Sequence, residues 1–323
     1  MLRSRASATL ALAFVGLVGA SAIAASEAAD PVAWAFPGAP GGAKSAGPPQ
    51  TLVGLEGSKK RYTEAQLHDG FRAVDWWPER HPAPPAIVLN GRSPDAMACG
   101  YCHLPGGEGR PENAALAGLP AAYIARQVGD MRSGARQGVH PDWVPTALMH
   151  KVAEAVTPGE VAQAAAYFSR QTFVPRVRLV EAARIPRMVP RAFVYGQGAG
   201  GRVPLSQRIV ETPDDFERFE KRDPRVGFTA YVPPGAIERG RDLASTGAAG
   251  RTQPCSACHG PRLAGAVGPP IAGRSPGYLF RQLYAFHGGS RRGADAEPMR
   301  AVAAHLTTPN MIDLAAYAAS LRP

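Results

Sequence analysis

Apolar residues recur at helical spacing in two separate parts of this chain of 323 residues. Near the C-terminus, Met311, Leu314 and Ala318 fall on one face of a predicted helix. The same spacing predicts a short helix at the start of each part, two further helices, and a last helix. The pattern therefore indicates a mainly α-helical protein with two helical units, at residues 86–173 and 236–323.

The two units correspond to each other in sequence. A Tyr-x-x-Arg-Gln segment that begins at Tyr123 recurs at Tyr278, and a Gly-x-Arg-x-Gly segment that begins at Gly134 recurs at Gly289. The matched segments keep their order with few gaps, which indicates a duplicated domain of about 85 residues.

A glycine in the first helix of each unit, Gly91 or Gly240, is expected to permit close crossing with the last helix. A tyrosine of that last helix, Tyr167 or Tyr317, is expected to pack over the glycine.

The rest of the chain differs in composition from the two units. Residues 25–85 form a leader rich in Pro, Gly and Trp, and residues 25–60 are expected to be flexible. Thr63 is the expected N-cap of a short helix. Residues 174–235 form an irregular inter-domain arm, in which we expect edge strands within 177–195, a loop at 196–201 and a helical turn at 214–221.

Residues 1–24 read as a secretory signal peptide. Arg3 and Arg5 precede an apolar run at 10–18, and Ala-Ile-Ala at 22–24 is a small-x-small cleavage site. These features predict export to the periplasm and a soluble mature protein. An uncleaved membrane anchor is the alternative.

The net charge of +10 is unevenly distributed. Residues 86–173 are neutral by count, whereas 174–235 carry +4 and 236–323 carry +5. The arginines are dispersed and lack interleaved aromatic residues, which argues against nucleic acid as a partner. The asymmetry favours an acidic partner surface, and an Arg-rich solvated surface explains it equally well.

Two short motifs use all four cysteines. Residues 99–103 read Cys-Gly-Tyr-Cys-His, and residues 255–259 read Cys-Ser-Ala-Cys-His. In this signature two thiols on one turn add to the vinyl groups of one porphyrin, and the adjacent histidine reaches the iron. Zinc is the main alternative, because paired cysteines also bind that metal. The motifs predict two covalently bound haem c groups, attached through Cys99, Cys102, Cys255 and Cys258, with His103 and His259 as proximal ligands.

The sixth ligand of each iron separates an electron carrier from an enzyme. Met149 and Met299 occupy the same position in the repeat, which we place in a loop just before the third helix. Pro145 and Pro298 lie upstream of these methionines and favour an extended approach to the iron. A distal methionine in each unit does not fit a shared zinc site.

Other candidate ligands are weaker. Met131 aligns with Phe286 in the repeat, and this interchange with an apolar residue indicates a packing role. His140 and His150 compete with Met149 for the first haem. His150 aligns with Arg300, so a surface position is the preferred interpretation of both histidines.

On these residues, the two units resemble the bacterial diheme cytochromes c, which are built from two class I cytochrome c domains in tandem. The resemblance is carried by the paired Cys-x-x-Cys-His motifs, the Leu/Ile-Ala-Gly step, the Tyr-x-x-x-Gln helix and the methionine before the C-terminal helices. It implies a periplasmic electron shuttle with six-coordinate iron at both sites, His103 with Met149 and His259 with Met299.

The chain departs from that family pattern in two places. Class I domains often carry a proline whose carbonyl orients the proximal histidine, and Pro269 fits this role in the second unit. Ala114 stands at that position in the first unit, so its carbonyl must serve without the proline. The adjacent Trp76 and Trp77 are expected to form a packing plug that covers a haem edge.

Three functions remain in competition. The leading one is one-electron transfer between periplasmic redox proteins, with a dehydrogenase or quinol-oxidising complex as donor and an oxidase or another cytochrome as acceptor. The alternatives are a peroxidase-like diheme enzyme and a dedicated cytochrome subunit of a periplasmic dehydrogenase. A peripheral association with the membrane is compatible with each of them.

Overall fold

The structure is a computed structural model that describes residues 30–38 and 48–323. The predicted signal peptide, residues 1–24, lies outside the described residues. Residues from Val32 to Pro323 form one unit by their contacts. Among the described residues, no helix combines the length and apolar character needed to cross a membrane.

Helices dominate the described chain, as predicted. Their bounds are α1 Glu64–Leu67, α2 Ala86–Leu89, α3 Cys99–His103, α4 Ala121–Arg132, α5 Val144–Ala155, α6 Pro158–Ser169, α7 Phe216–Glu220, α8 Ala236–Gly250, α9 Cys255–His259, α10 Pro276–His287, α11 Glu297–Ala303 and α12 Thr308–Ser320. The strands are β1 Leu52–Gly54, β2 Arg61–Thr63, β3 Val177–Glu181, β4 Arg184–Arg191, β5 Val194–Pro204, β6 Val210–Pro213 and β7 Phe228–Val232.

The repeat is visible in how the helices follow one another. Helices α3 to α6 correspond in order to α9 to α12. The last helix of each unit begins in the same way, since Thr157 and Thr307 each form a capping box with the residue three positions later. Each unit has its own apolar core, centred on Val88 and Phe168 in the first and on Phe280 and Ile312 in the second.

The predicted helix crossing is present in the second unit. A Cβ atom at Gly240 of α8 would lie 2.0 Å from the carbonyl oxygen of Asp313 and 2.7 Å from Cβ of Tyr317. No side chain fits there, so glycine sets how closely α8 and α12 approach.

In the first unit the same prediction is wrong. Helix α2 has a single turn, and Gly91 lies beyond its end, against the backbone of residues 96–98. Leader residues bind this segment instead: the amide of Ala73 donates to the carbonyl of Leu89, and the amide of Gly91 donates to that of Phe71. The hydroxyl of Tyr167 donates to the carbonyl of Pro105, at 3.0 Å.

The leader is more ordered than predicted. Strand β1 pairs antiparallel with β2, so the expected flexibility is wrong for residues 52–54 of β1, which lie within the predicted flexible segment. Thr63 caps α1 as predicted, in a capping box with Gln66. Tyr62 contributes to this order, because its hydroxyl donates to the carbonyl of Asp75, at 2.8 Å.

Trp76 and Trp77 form a packing plug, as predicted, in a buried cluster with Leu55, Leu67 and Val74. Their indole N–H groups point at the inter-domain arm rather than at a haem edge. The indole of Trp76 donates to the carbonyl of Lys221, at 2.6 Å, and that of Trp77 to Asp223 Oδ1, at 3.1 Å. The two tryptophans thus attach the leader to the arm.

The arm contains the predicted edge strands within a larger β structure. Strand β7 pairs in parallel with β3 and antiparallel with β6, while β4 and β5 form a separate antiparallel hairpin. The helical turn expected at 214–221 is α7, capped by Asp215.

The loop expected at 196–201 is wrong, because these residues lie inside β5. The glycines leave room for arginine side chains that cross the strand. A Cβ atom at Gly196 would lie 2.3 Å from Cδ of Arg191, and one at Gly200 would lie 3.5 Å from Cδ of Arg187.

Glu211 of β6 joins the arm to the second unit. Its Oε2 accepts hydrogen bonds from Ser275 Oγ, at 2.7 Å, and from the amide of Gly277, at 3.3 Å. Ser275 is the N-cap of α10. Burial raises the pKa of Glu211 to about 7, against the effect of these hydrogen bonds and of Arg281.

We expect Glu211→Gln to alter how stability depends on pH. A carboxyl whose folded-state pKa is raised stabilises the fold below its unfolded pKa, and this contribution is lost as pH rises through about 7. Between pH 4.5 and 8 the loss amounts to about 3 kcal/mol. Urea unfolding of the holoprotein at several pH values should show a smaller loss of stability for Glu211→Gln. The control is Glu217→Gln, at an exposed position. Parallel curves of unfolding free energy against pH for all three proteins would contradict the raised pKa of Glu211.

Candidate haem-binding sites

The first unit encloses an apolar cavity beside its Cys-x-x-Cys-His motif. The cavity has a volume of about 180 Å³ for the centres of water-sized molecules. Cys99, Cys102 and His103 of α3 line one part of it, and Met149 of α5 also lines it. Apolar side chains complete most of the wall, among them Ile87, Leu116, Ile124, Val128, Val152 and Phe168. A large apolar cavity with a few polar groups is typical of a cofactor site.

The histidine of each motif is oriented by a backbone carbonyl. His103 Nδ1 lies 2.8 Å from the carbonyl oxygen of Ala114, and His259 Nδ1 lies 2.8 Å from that of Pro269. A carbonyl can only accept, so Nδ1 is the protonated nitrogen and Nε2 keeps its lone pair. The prediction that Ala114 serves in place of a proline is confirmed.

Burial also favours the neutral imidazole. It lowers the pKa of both His103 and His259, although the hydrogen bond to the carbonyl acts in the opposite direction. A neutral imidazole is the form that binds a metal.

Met149 and Met299 lie inside helices, so their predicted place in a loop is wrong. Met149 belongs to α5 and Met299 to α11. Pro145 and Pro298 explain the difference, because each occupies the first turn of its helix rather than an extended segment.

The first cavity contains more sulfur than the sequence analysis assigned to it. Met97 and Met131 line it together with Met149. His150 lines it too, but its Nε2 lies 3.0 Å from the carbonyl oxygen of Arg136. The ring of His140 packs edge-on against Phe36, with centroids 4.3 Å apart.

In the second unit, α9 carries the motif with Cys258 exposed and His259 buried. Met299 packs against Phe286, Ala296 and Ala303. Phe286 is the counterpart of Met131, which lines the first cavity. Met299 therefore lies on the side of its unit that corresponds to the cavity wall of the first.

The two units meet through a crossed pair of arginines. Arg136 donates to Gln282 Oε1, at 2.8 Å, and to the hydroxyl of Tyr278, at 3.1 Å, both in the other unit. Arg291 donates in the same way to Gln127 Oε1, at 2.6 Å, and to the hydroxyl of Tyr123, at 2.9 Å. The two repeated segments of the sequence thus form the interface between the units.

This exchange was not predicted. Both segments recur together in the sequence, and this joint recurrence was the available signal. Contacts between the units depend on how the two repeats pack, which recurrence alone does not specify.

The two guanidinium groups are buried without a carboxylate partner. Arg136 and Arg291 are 9% and 5% exposed. Within residues 30–38 and 48–323, neither forms an ion pair with Asp or Glu. Burial and the neighbouring Arg136 lower the pKa of Arg291. Buried cations need compensating anions.

Both arginines line the first cavity, so this charge fits a cofactor that brings carboxylates. Haem has two propionates, and the residues present therefore fit the group that the motifs predict.

Comparisons with known proteins indicate the class of protein to which this chain is similar. No family model matches the chain. It is 28% identical over 238 residues to a protein described as "Thiosulfate dehydrogenase electron acceptor" from Stutzerimonas stutzeri (strain A1501), which covers 72% of this chain and 82% of that protein. A protein of the same description from Thiomonas intermedia (strain K12) is 27% identical over 221 residues, covering 66% of this chain and 74% of that protein.

Solved structures also resemble the chain in part. Thiosulfate dehydrogenase (TsdBA) from Marichromatium purpuratum has 30% identity and a TM-score of 0.45, covering 70% of this chain and 37% of that one. Cytochrome c4 from Pseudomonas stutzeri has 22% identity and a TM-score of 0.45, covering 69% of this chain and 93% of that one.

The chain is a diheme c-type cytochrome, with two covalently bound haem c groups. It carries single electrons.

We expect Arg136→Gln and Arg291→Gln each to lower a midpoint potential of the holoprotein by tens of millivolts. A buried cation favours the reduced iron, which carries one positive charge fewer than the oxidised iron. Spectroelectrochemical titration measures the shift. The control is Arg126→Gln, an exposed arginine of the same helix as Gln127. Unchanged potentials in both buried-site variants, or an equal shift in the control, would contradict this account.

Proposed function

We propose that the chain is the periplasmic electron acceptor of a dehydrogenase that oxidises thiosulfate or a related sulfur compound. The observation that carries the electron-acceptor part is that His103 and Met149 line one apolar cavity. The choice of donor rests on the two relatives described as thiosulfate dehydrogenase electron acceptors. Export through residues 1–24 places the chain in the same compartment as such a donor.

In this proposal the two motifs and the two methionines hold the haems. Cys99, Cys102, Cys255 and Cys258 would form the thioether bonds. His103 with Met149, and His259 with Met299, would hold the two irons. Bound haem supplies one-electron chemistry, because its iron alternates between two oxidation states. A methionine sixth ligand favours the reduced state and raises the potential.

The chain's own residues prepare each iron for this role. The carbonyls of Ala114 and Pro269 fix the orientation of the two imidazole rings. The rings therefore need to move little when the iron gains or loses an electron. The wall of the first cavity is largely apolar and would therefore surround bound haem with mostly apolar side chains. With both axial positions filled, neither iron has a position for substrate, so we propose a carrier and not an enzyme.

The interface formed by the two arginines connects the two haem units for electron transfer. Arg136 and Arg291 join α4 and α10 through Gln127 and Gln282, which also line the first cavity. Electrons enter at one unit and leave at the other across this interface.

The ligand assignment is tested by methionine substitutions. We expect Met149→Ala and Met299→Ala each to remove about half of the sulfur-to-iron charge-transfer band of the oxidised holoprotein, because each removes one axial sulfur. Absorption spectroscopy measures the band. The matched controls are Met131→Leu, which lines the same cavity as Met149, and Met311→Leu in the core of the second unit. A full band in either alanine variant would refute that ligand.

The donor is tested by reconstitution. Oxidised holoprotein mixed with a thiosulfate dehydrogenase and thiosulfate should become fully reduced at both haems. Thiosulfate alone should leave it oxidised, because the closed iron offers no position for the substrate. Reduction by thiosulfate without the dehydrogenase would contradict the carrier assignment, and no reduction with it would contradict the choice of donor.

A further inference from the structure

The β4–β5 hairpin of the arm carries positive charge without any negative charge of its own. Residues 182–210 contain five arginines and neither Asp nor Glu. The proposed electron-transfer chemistry does not involve residues 182–210. Its charge therefore calls for a separate explanation.

Three of these arginines share the outward face of the hairpin. Ile185 and Met188 both face an apolar cluster, which a register shift between Pro186 and Met188 makes possible. Arg184 directly precedes Ile185, and Arg187 directly precedes Met188. Both arginines consequently point away from that cluster and are exposed.

Arg202 joins them on the same face. It lies opposite Pro186 in the ladder, and it exchanges hydrogen bonds with Arg184, each guanidinium donating to the other residue's carbonyl. We call Arg184, Arg187 and Arg202 the hairpin surface. Within the described part of the chain, no carboxylate forms an ion pair with any of the three.

The far end of the hairpin reaches the first haem cavity. Phe193, in the turn between β4 and β5, packs edge-on against Trp143 with ring centroids 6.2 Å apart. Trp143 lines the first cavity. From Arg187 to Arg191, where β4 ends, the strand spans about 13 Å. The next residue after Trp143, Val144, is 46% exposed and places an apolar side chain at this end.

We propose that the hairpin surface docks an acidic face of a redox protein, which exchanges electrons with the first haem unit. This inference rests on the proposed function. Unpaired surface cations attract an acidic partner and orient it during encounter. A typical interface buries about 800 Å² on each partner, which is wide enough to extend from the hairpin surface to Val144.

A protein partner fits this surface better than an anionic membrane. Membrane-binding segments insert large apolar side chains beside their basic residues. The exposed large apolar residues of the described chain are Leu52, Val144, Val174 and Val267. None belongs to the hairpin, and only the single residue Val144 lies at its far end.

The test compares two charge-reversal variants of the holoprotein. One is Arg184→Glu, Arg187→Glu and Arg202→Glu together. The control reverses three exposed arginines outside the hairpin, Arg170→Glu, Arg241→Glu and Arg322→Glu. Both change the net charge equally, so a difference between them reports position. If the hairpin variant does not fold, the corresponding Gln triple replaces it.

The probe is a reduced plant-type [2Fe–2S] ferredoxin, an acidic electron donor. Stopped-flow rates at low salt should fall about tenfold or more in the hairpin variant and much less in the control. The difference should vanish at 1 M salt, where the Debye length is about 3 Å. Equal rates in the two variants at low salt would overturn the proposal.

Two further measurements separate the alternatives. Dithionite should reduce both variants fully, and a failure of this reduction in the unsubstituted protein would count against the proposed function rather than against docking. Sedimentation with phosphatidylglycerol vesicles tests the membrane. Vesicle binding that the hairpin variant loses, with an unchanged ferredoxin rate, would assign the surface to lipid and overturn the proposal.

Discussion

Two buried guanidinium groups determine how the halves of this protein meet. Arg136 and Arg291 each donate to a tyrosine and a glutamine of the opposite unit, so neither unit completes its hydrogen bonds alone. Neither charge forms an ion pair with a carboxylate within the described residues, although Tyr278, Tyr123 and Asp130 raise the pKa of Arg136 against the effect of burial. A cofactor that brings carboxylates fits this interface, and its binding would link the haem site to the packing of the two units.

The inter-domain arm and the leader add further contacts to those between the two haem units. Trp76 and Trp77 attach the leader to the arm, and Glu211 attaches the arm to the start of α10. Arg274 of the second unit donates to the carbonyl of Ala115 in the first, at 2.6 Å. In each of these contacts a polar group pairs with a segment distant in sequence, and together the contacts tie the leader, the arm and the two units to one another.

The sequence predicted what depends on local patterns. The thiol spacing gave the haem motifs, the repeat gave the helix order, and Ala114 was correctly expected to replace a proline carbonyl. The errors arose where a local signal had two readings or where pairing with another strand decides the structure. Pro145 lies in the first turn of α5 instead of in an extended segment before it. The glycine-rich residues 196–201 lie in a strand because β5 pairs with β4. The arginine exchange between units needed the three-dimensional structure.

The central claim about this protein is that two haems bind to the chain and that protein ligands fill both axial positions of each iron. Electron paramagnetic resonance of the oxidised holoprotein, quantified against protein concentration, tests it most directly. Two strong-field axial ligands make ferric iron low-spin, so the account predicts two low-spin ferric haems per chain. One low-spin haem accompanied by a stoichiometric high-spin signal would show an open iron and contradict it.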